Sequence, residues 1–337
     1  MLKKIRWFTV FALSIGFLFS SGSKAQDKTD DDIIKVDTNL VTIPVIVSDR
    51  QNRYISGLKA ENFTISKDGE KQSIEYFIAE EAPLNVAILL DTSRSTEMVL
   101  DEIQTAALEF VKQLKPNDRC MIVSFDWQVN VLSELTGDRE KLKRTIKNAD
   151  IGERFGTVLQ DAVYETVTKN FAGVKGRKAV ILLTDGKDFG SFTEKDELIY
   201  RLEESDTLVY SIFYETGFRR QRPMRQGFPF PNRRGGGGIL RRGGNPDNRR
   251  QRNERANEDA QDFLQEMADV TAGRFYQKEI KDLSKTFEAI AEELRKQYLI
   301  GFYPENVEPG KIYQIKVKVD RRDAVVRAKN TFRVKGN

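Results

Sequence analysis

Hydrophobic positions change their spacing twice along this chain. Val41, Ile43, Val45 and Val47 alternate with other residues, the period of a strand with one buried face. Pro44 lies inside that run and suggests an edge position or a bulge, because proline cannot donate to a ladder. FTIS at 63–66 and SIEYFI at 73–78 also read as strands, and Asp68-Gly69 between them is a pair suited to a hairpin turn. Three short strands cannot bury a core alone.

From residue 84 the pattern is different. LNVAILL at 84–90 is almost wholly apolar, as a strand covered on both faces should be. Ile103, Ala107, Phe110 and Leu114 follow at spacings of 4, 3 and 4, which places them on one face of a helix. The same reasoning predicts strands over 119–125, 129–134, 178–184, 207–213 and 274–278, and helices over 138–148, 157–170, 193–204, 258–271 and 281–296. Alternating apolar strands and amphipathic helices imply an α/β fold, a doubly wound, mainly parallel sheet covered on both faces. Ligands of such sheets bind at the carboxyl ends of the strands.

The last helix carries Leu283, Phe287, Ile290 and Leu294 on one face and runs almost directly into an apolar strand at 298–303. Strands are then expected near 312–320, where Tyr313, Ile315, Val317 and Val319 alternate, and over 324–334. The two incomplete β sets, 35–83 and 297–337, are expected to pair into one small β-sandwich-like module, with the α/β domain of 84–296 inserted in it.

The N-terminus adds a destination. Lys3, Lys4 and Arg6 precede an apolar run over 7–19, and Ser23-Lys24-Ala25 offers a small-x-small cleavage site. Residues 1–25 are therefore expected to be a signal peptide, with the mature chain starting at Gln26 and an acidic linker over 26–34. The apolar run falls short of the roughly 20 residues of a membrane span, so an exported protein, periplasmic or extracellular, is expected rather than an integral membrane protein. No Cys at the junction offers a lipid attachment site.

Composition then narrows the chemistry. The 337 residues include one Cys and no His. Ser-His-Asp and Cys-His catalysis, His-ligated zinc, an internal disulfide and multi-Cys clusters are all excluded. Cys120 sits in the apolar strand CMIVSF and reads as a small buried hydrophobe. A bound metal would be held by oxygen, which favours Mg²⁺, Mn²⁺ or Ca²⁺.

Three loops at the expected sheet edge carry suitable oxygens. The strand at 84–90 ends in Asp91-Thr92-Ser93-Arg94-Ser95, the strand at 178–184 ends in Asp185-Gly186, and Gly156-Thr157 opens a helix between them. Each has a plainer explanation: Ser95 or Thr96 as an N-cap, Thr157 with Gln160 as a capping box, Asp185-Gly186 as a turn. The convergence of such loops at one sheet edge distinguishes a site from three separate caps.

This constellation resembles the metal-ion-dependent adhesion site of von Willebrand factor type A domains, also found inserted in integrins, over roughly residues 84–296. With DGEKQSIEYF before LNVAILLDTSRS and QYLIGFYP after the last helix, the whole chain looks similar to a bacterial exported subfamily of von Willebrand A-related proteins. The resemblance implies that Ser93 and Ser95 ligate Mg²⁺ or Mn²⁺ with Thr157 and Asp185, and that Asp91 and Asp185 act partly through water. Arg154-Phe155-Gly156 departs from the family's double Gly, Arg94 fills a position often held by Gly, and Glu97 one often held by a small or apolar residue. The implied function is metal-dependent adhesion or protein binding, with an acidic group of a partner completing the coordination and no small-molecule substrate. Two alternatives stand beside it: an anion- or nucleic-acid-binding scaffold, and a metal-dependent hydrolase that would need Asp188 or Glu97 as its base. In integrin-like members the last helix shifts on metal engagement; here no Gly or Pro interrupts the passage from helix 281–296 before Gly301, so a shift could be transmitted.

Charge adds a last feature. The formal +4 conceals a strong segregation. Residues 217–257 hold twelve Arg against only Asp247 and Glu254, with many Gly and Asn and no periodicity, and read as a disordered insertion. Setting aside Lys3, Lys4, Arg6 and Lys24 of the signal peptide leaves 51 basic and 51 acidic residues, so the body apart from this +10 arm carries −10. The arm follows strand 207–213 and should emerge beside the proposed metal. Arg219, Arg220, Arg233, Arg234, Arg241 and Arg242 are its candidate contacts to an acidic protein or another anionic envelope or extracellular ligand. Export argues against RNA as that partner and leaves extracellular DNA, lipopolysaccharide phosphates and acidic polysaccharide beside an acidic protein.

Overall fold

The computed structural model describes residues 40–79, 83–214 and 246–334. The expected signal peptide and acidic linker lie outside the described residues. The chain forms β1 (Val41–Asp49), β2 (Phe63–Lys67), β3 (Glu70–Gln72), β4 (Tyr76–Ile78) and β5 (Leu84–Asp91). Next come α1 (Leu100–Gln113), β6 (Arg119–Phe125), β7 (Val129–Thr136), α2 (Arg139–Lys147), α3 (Leu159–Glu165) and β8 (Arg177–Thr184). After these follow α4 (Lys195–Glu204), β9 (Thr207–Phe213), α5 (Pro246–Thr271), β10 (Arg274–Gln277) and α6 (Leu283–Arg295). The series ends with β11 (Gln297–Phe302), β12 (Ile312–Val319), β13 (Ala324–Ala328) and β14 (Thr331–Arg333).

A six-stranded sheet in the order β10-β9-β8-β5-β6-β7 is parallel throughout except for β7 at its edge. Both of its faces are covered, which explains the nearly continuous apolar strands. Val86, Ile88, Leu90, Ile181 and Leu183 pack with Ile103, Phe110, Phe287 and Ile290 of α1 and α6. Ala87, Leu89, Val180 and Leu182 pack on the other face with Leu159, Val163, Leu198 and Met267 of α3, α4 and α5. The fold is thus the doubly wound, mainly parallel α/β architecture, with two further sheets beside it.

Those two sheets, β13-β1-β11-β4 and β14-β12-β2-β3, share one core. Strand β1 pairs with β11 and β13, and β2 pairs with β12, so strands from both ends of the chain meet. Ile43, Val45, Phe63, Ile65, Tyr298, Phe302 and Phe332 fill the space between them. The Phe63 and Tyr298 rings lie 5.3 Å apart, and the Tyr298 hydroxyl donates to the Ile55 carbonyl at 3.0 Å.

Pro44 lies in an internal strand, opposite Leu299, but the β1–β13 ladder begins only at Val45, so the proline has a partner on one side alone and holds the expected edge position. Three local expectations are corrected. The hairpin partner of β2 is β3 at Glu70–Gln72, and residues 76–78 cross to the other sheet to pair with β11. The turn between them holds Asp68 at φ 49° and Gly69 at φ 91°, the pair of left-handed residues that a two-residue hairpin requires. The expected strand over 324–334 divides at Asn330 into β13 and β14, one in each sheet. Helix α5 starts at Pro246, so residues 246–257 are helical where disorder was expected. Proline at the first helical position loses no hydrogen bond, and the Arg, Gln, Glu and Ala that follow are good helix formers.

Two buried cations close helix ends at the base of the α/β sheet. The Arg177 guanidinium donates to the Leu294 carbonyl at 2.9 Å and to Gln297 at 3.3 Å, at the end of α6. The Lys329 ammonium donates to the carbonyls of Leu202 (3.2 Å), Glu203 (2.7 Å) and Ser205 at the end of α4. Burial pushes Lys329 down to about 8, so at neutral pH it keeps the charge that the carbonyl end of a helix favours. Lys329→Met should cost roughly 2–3 kcal/mol, because three carbonyls lose their buried donor. Urea denaturation measures this; an unchanged midpoint would show that water replaces the ammonium.

Candidate metal centre

Strands β5 and β8 are neighbours, and Leu90 sits opposite Leu183. The residues after that pair therefore meet at the carboxyl edge, where Thr184 Oγ1 donates to Asp91 Oδ2 at 2.7 Å. Asp91 Oδ1 accepts from the Ser93 amide at 3.0 Å. Thr96 Oγ1 donates to the carbonyls of Ser93 (2.7 Å) and Asp91 (2.9 Å) and winds the loop into a tight turn. The turn brings the Ser93 and Ser95 hydroxyl oxygens to 3.0 Å from each other. Asp91, Ser93 and Asp185 are buried, and Ser95 is half-buried.

Thr157 arrives from the loop before α3. It forms a two-way backbone bridge with Phe189, on the loop that follows Asp185. The Gly152 amide donates to the Thr92 carbonyl at 2.9 Å, and the Val158 amide to the Asp126 carbonyl at 2.8 Å. The loops holding the five candidate residues are thereby tied together by backbone hydrogen bonds.

The plainer capping roles do not occur for Ser95 and Thr157. The turn at Arg94–Val99 and helix α3 have no side-chain cap from their own N-cap residues, Ser93 and Val158. The orphan amides at the start of α3 go to a different loop: Gln160 N donates to Asp188 Oδ2 at 2.9 Å and Asp161 N to Ser191 Oγ at 3.2 Å. Asp161 in return accepts from the amides of Phe192 and Thr193. Asp188, a candidate general base from sequence, is thus engaged in capping a helix and binding Ser191.

Four supporting residues were not identified from sequence: Thr184, Asp126, Asp188 in its capping role, and Tyr214. Asp126 directly follows β6 much as Asp91 ends β5, which is a readable signal; its carboxylate accepts from Thr92 Oγ1 at 3.2 Å and from the Gln128 amide at 3.3 Å. Gly152 lies against it, and a Cβ there would fall 2.5 Å from the Asp126 carboxyl carbon. Gly152→Ala should therefore push the loop bearing Thr157 outward and destabilise the protein by roughly 1–3 kcal/mol. An unchanged thermal midpoint would show that the loop yields freely.

The electrostatics are those of a site short of positive charge. Burial, then the neighbouring Asp185 charge, raises the Asp91 carboxyl well above its ordinary value. The Tyr214 hydroxyl is buried without a hydrogen-bond partner among the described residues, and it is pushed up by burial, then by Asp91 and Asp185. Lys187 brings its ammonium to 2.5 Å from Asp185 Oδ2 while remaining half exposed. Among the described residues no group of three or more His, Cys, Asp or Glu could hold a metal. Two carboxylates with neutral hydroxyls suit a hard cation that also binds water, and the Lys187 ammonium pairs with one of those carboxylates. Arg219, Arg220, Arg233, Arg234, Arg241 and Arg242 lie outside the described residues.

Residues 86–187 match the von Willebrand factor type A domain family. Domains of this class bind a divalent metal at the adhesion site and mediate protein interactions. No curated protein sequence matches the chain. Among solved structures it is similar to the conserved hypothetical protein BatB from Bacteroides thetaiotaomicron, at 17% identity over 64% of this chain and 98% of that one, with a TM-score of 0.44. It is similar to a von Willebrand factor type A protein from Catenulispora acidiphila at 12% identity, covering 82% and 74%, with a TM-score of 0.46. A third similar structure, proximal thread matrix protein 1 from the mussel byssus with a zinc-occupied MIDAS motif, shares 17% identity over 63% of this chain and 48% of that one, at a TM-score of 0.43. None of the helices among the described residues is long and apolar enough to cross a membrane.

Proposed function

We propose that this chain is an exported, non-enzymatic binding protein that engages an acidic partner through a divalent cation. Ser93, Ser95 and Thr157 would supply neutral oxygens, and Asp91 and Asp185 would supply charge, partly through water. Mg²⁺ is the ion proposed, with Mn²⁺ or Ca²⁺ able to use the same oxygen donors. A cation held so sparingly keeps Lewis acidity for one further carboxylate, which the partner provides.

The observation carrying this reading is the pair of serine hydroxyls 3.0 Å apart beside a buried carboxylate that its own neighbour repels. Export rests on the sequence pattern of residues 1–25, and the arginine arm is assigned the attraction of an anionic partner over distance.

Immobilised full-length protein should capture a specific partner from a bacterial envelope extract in Mg²⁺ and release it in EDTA. The Asp91→Ala variant should capture nothing under either condition. An identical captured set with Mg²⁺, with EDTA and with the variant would overturn the reading.

A further inference from the structure

The loops around the candidate site carry side chains that folding does not explain. Phe155 is 81% exposed, Phe189 79% and Phe192 96%. Water-exposed phenyl rings on neighbouring loops forfeit the burial that ordinarily places Phe in a core. The backbone brings Phe155 and Phe189 close to Thr157: Phe155 is two residues before it, and Phe189 is its bridge partner. Two arginines sit over aromatic rings of these loops. The Arg94 guanidinium is 4.3 Å from the Phe155 ring centre, and that of Arg154 is 4.3 Å from the Trp127 ring centre. Arg94 also donates to the Glu153 carbonyl at 2.5 Å, and neither arginine pairs with a carboxylate among the described residues. The ring contact holds each guanidinium in place and leaves its remaining N–H groups for an anion.

From this rim we infer the kind of partner the site takes: an acidic segment in which one carboxylate reaches the metal, an aromatic or aliphatic side chain beside it packs on Phe155 and Phe189, and a second carboxylate pairs with Arg94 or Arg154. The inference rests on the metal-binding reading above and adds a selectivity that a metal alone lacks. A bare cation takes any accessible carboxylate. Exposed rings reward an apolar neighbour, because both surfaces leave water together. Paired arginines reward a second acid by charge-assisted hydrogen bonds. Aromatic side chains and arginine are also the residues that dominate binding energy at protein interfaces.

The test uses full-length protein and two fluorescein-labelled peptides of equal charge. Each has two consecutive Glu, preceded by Phe in one and by Ser in the other. In Mg²⁺ the Phe peptide should bind about tenfold more tightly by fluorescence anisotropy. The double variant Phe155→Ser/Phe189→Ser should erase that preference at an unchanged thermal midpoint, since both rings are exposed. Arg94→Gln should weaken both peptides by several-fold. Equal, Mg²⁺-dependent binding of the two peptides would overturn the inference and leave the metal reading standing. Binding indifferent to Mg²⁺ and to Asp91→Ala would overturn both, and so would no binding of either peptide at millimolar concentration. Metal-independent retention on phosphatidylglycerol vesicles, lost in the double variant, would assign the rim to a lipid surface instead.

Discussion

Glu293→Ala is expected to lower the unfolding free energy by roughly 3–5 kcal/mol, because it leaves buried groups without their shared anion. Glu293 lies on α6 and is 1% exposed. It accepts from the Tyr54 hydroxyl at 2.9 Å, the Tyr210 hydroxyl at 2.6 Å, Arg274 Nε at 2.6 Å and the Arg327 guanidinium. Those partners come from the segment after β1, from β9, from β10 and from β13, so one carboxylate joins the α/β sheet to the sandwich. Arg274 is partly exposed and can rehydrate, which moderates the loss. Tyr210 is fully buried and Arg327 mostly so, and they cannot. Glu293→Gln keeps the shape and should lose less, since the amide oxygen still accepts.

The same cluster sets a pH dependence. Burial opposes the Glu293 charge, but Arg327, the Tyr210 hydroxyl and Arg274 outweigh it and hold the carboxyl below its ordinary value. The stabilisation is therefore complete above the ordinary Glu pKa and is lost as pH falls through the lower folded value. Urea midpoints of wild type and Glu293→Gln should converge on acidification below about pH 4. Curves that run parallel down to acid would show that the charge contributes nothing net, as some buried ion pairs do.

Mg²⁺ is the second lever. At a hundredfold excess over its Kd, a ligand that binds only the folded state adds about 2.7 kcal/mol of stability. For a domain of this size that corresponds to roughly 5–10 °C in thermal midpoint. Asp91→Asn should abolish the shift, because it removes one of only two carboxylates in the candidate site. In EDTA the same substitution should leave stability unchanged or raised, since it removes a buried charge that Asp185 repels. Loss of the Mg²⁺ shift without loss of stability in EDTA separates loss of the metal from loss of the fold. A Mg²⁺-induced shift of equal size in Asp91→Asn would place the ion elsewhere.

The sequence was most legible where a pattern is short-range. The all-apolar run of β5, the helical face of Ile103, Ala107 and Phe110, and the placement of Asp91 and Asp185 at strand ends all follow from periods of two or 3.6 residues. Where β strands choose distant partners, periodicity gave the strand and not its neighbour. Residues 76–78 have the composition of a hairpin arm, yet they pair with β11, more than 220 positions away. The start of α5 at Pro246 was obscured by arginine-rich composition, although Asn-Pro is a readable helix opening.

By itself, then, the sequence determined the doubly wound class, the strand-end carboxylates and hydroxyls, and the oxygen-only chemistry that follows from having no His and one Cys. Tertiary structure decided which of these groups are free to act. Asp188 turned out to cap α3, which released Thr157 from that role, and Thr96 rather than Ser95 closed the β5 loop. It also decided that Glu293, an ordinary polar position on an amphipathic helix, would meet Tyr54 from 239 residues away. Local spacing fixes which face a side chain occupies. Its hydrogen-bond partner depends on what the folded chain brings to that face, and no local period encodes this.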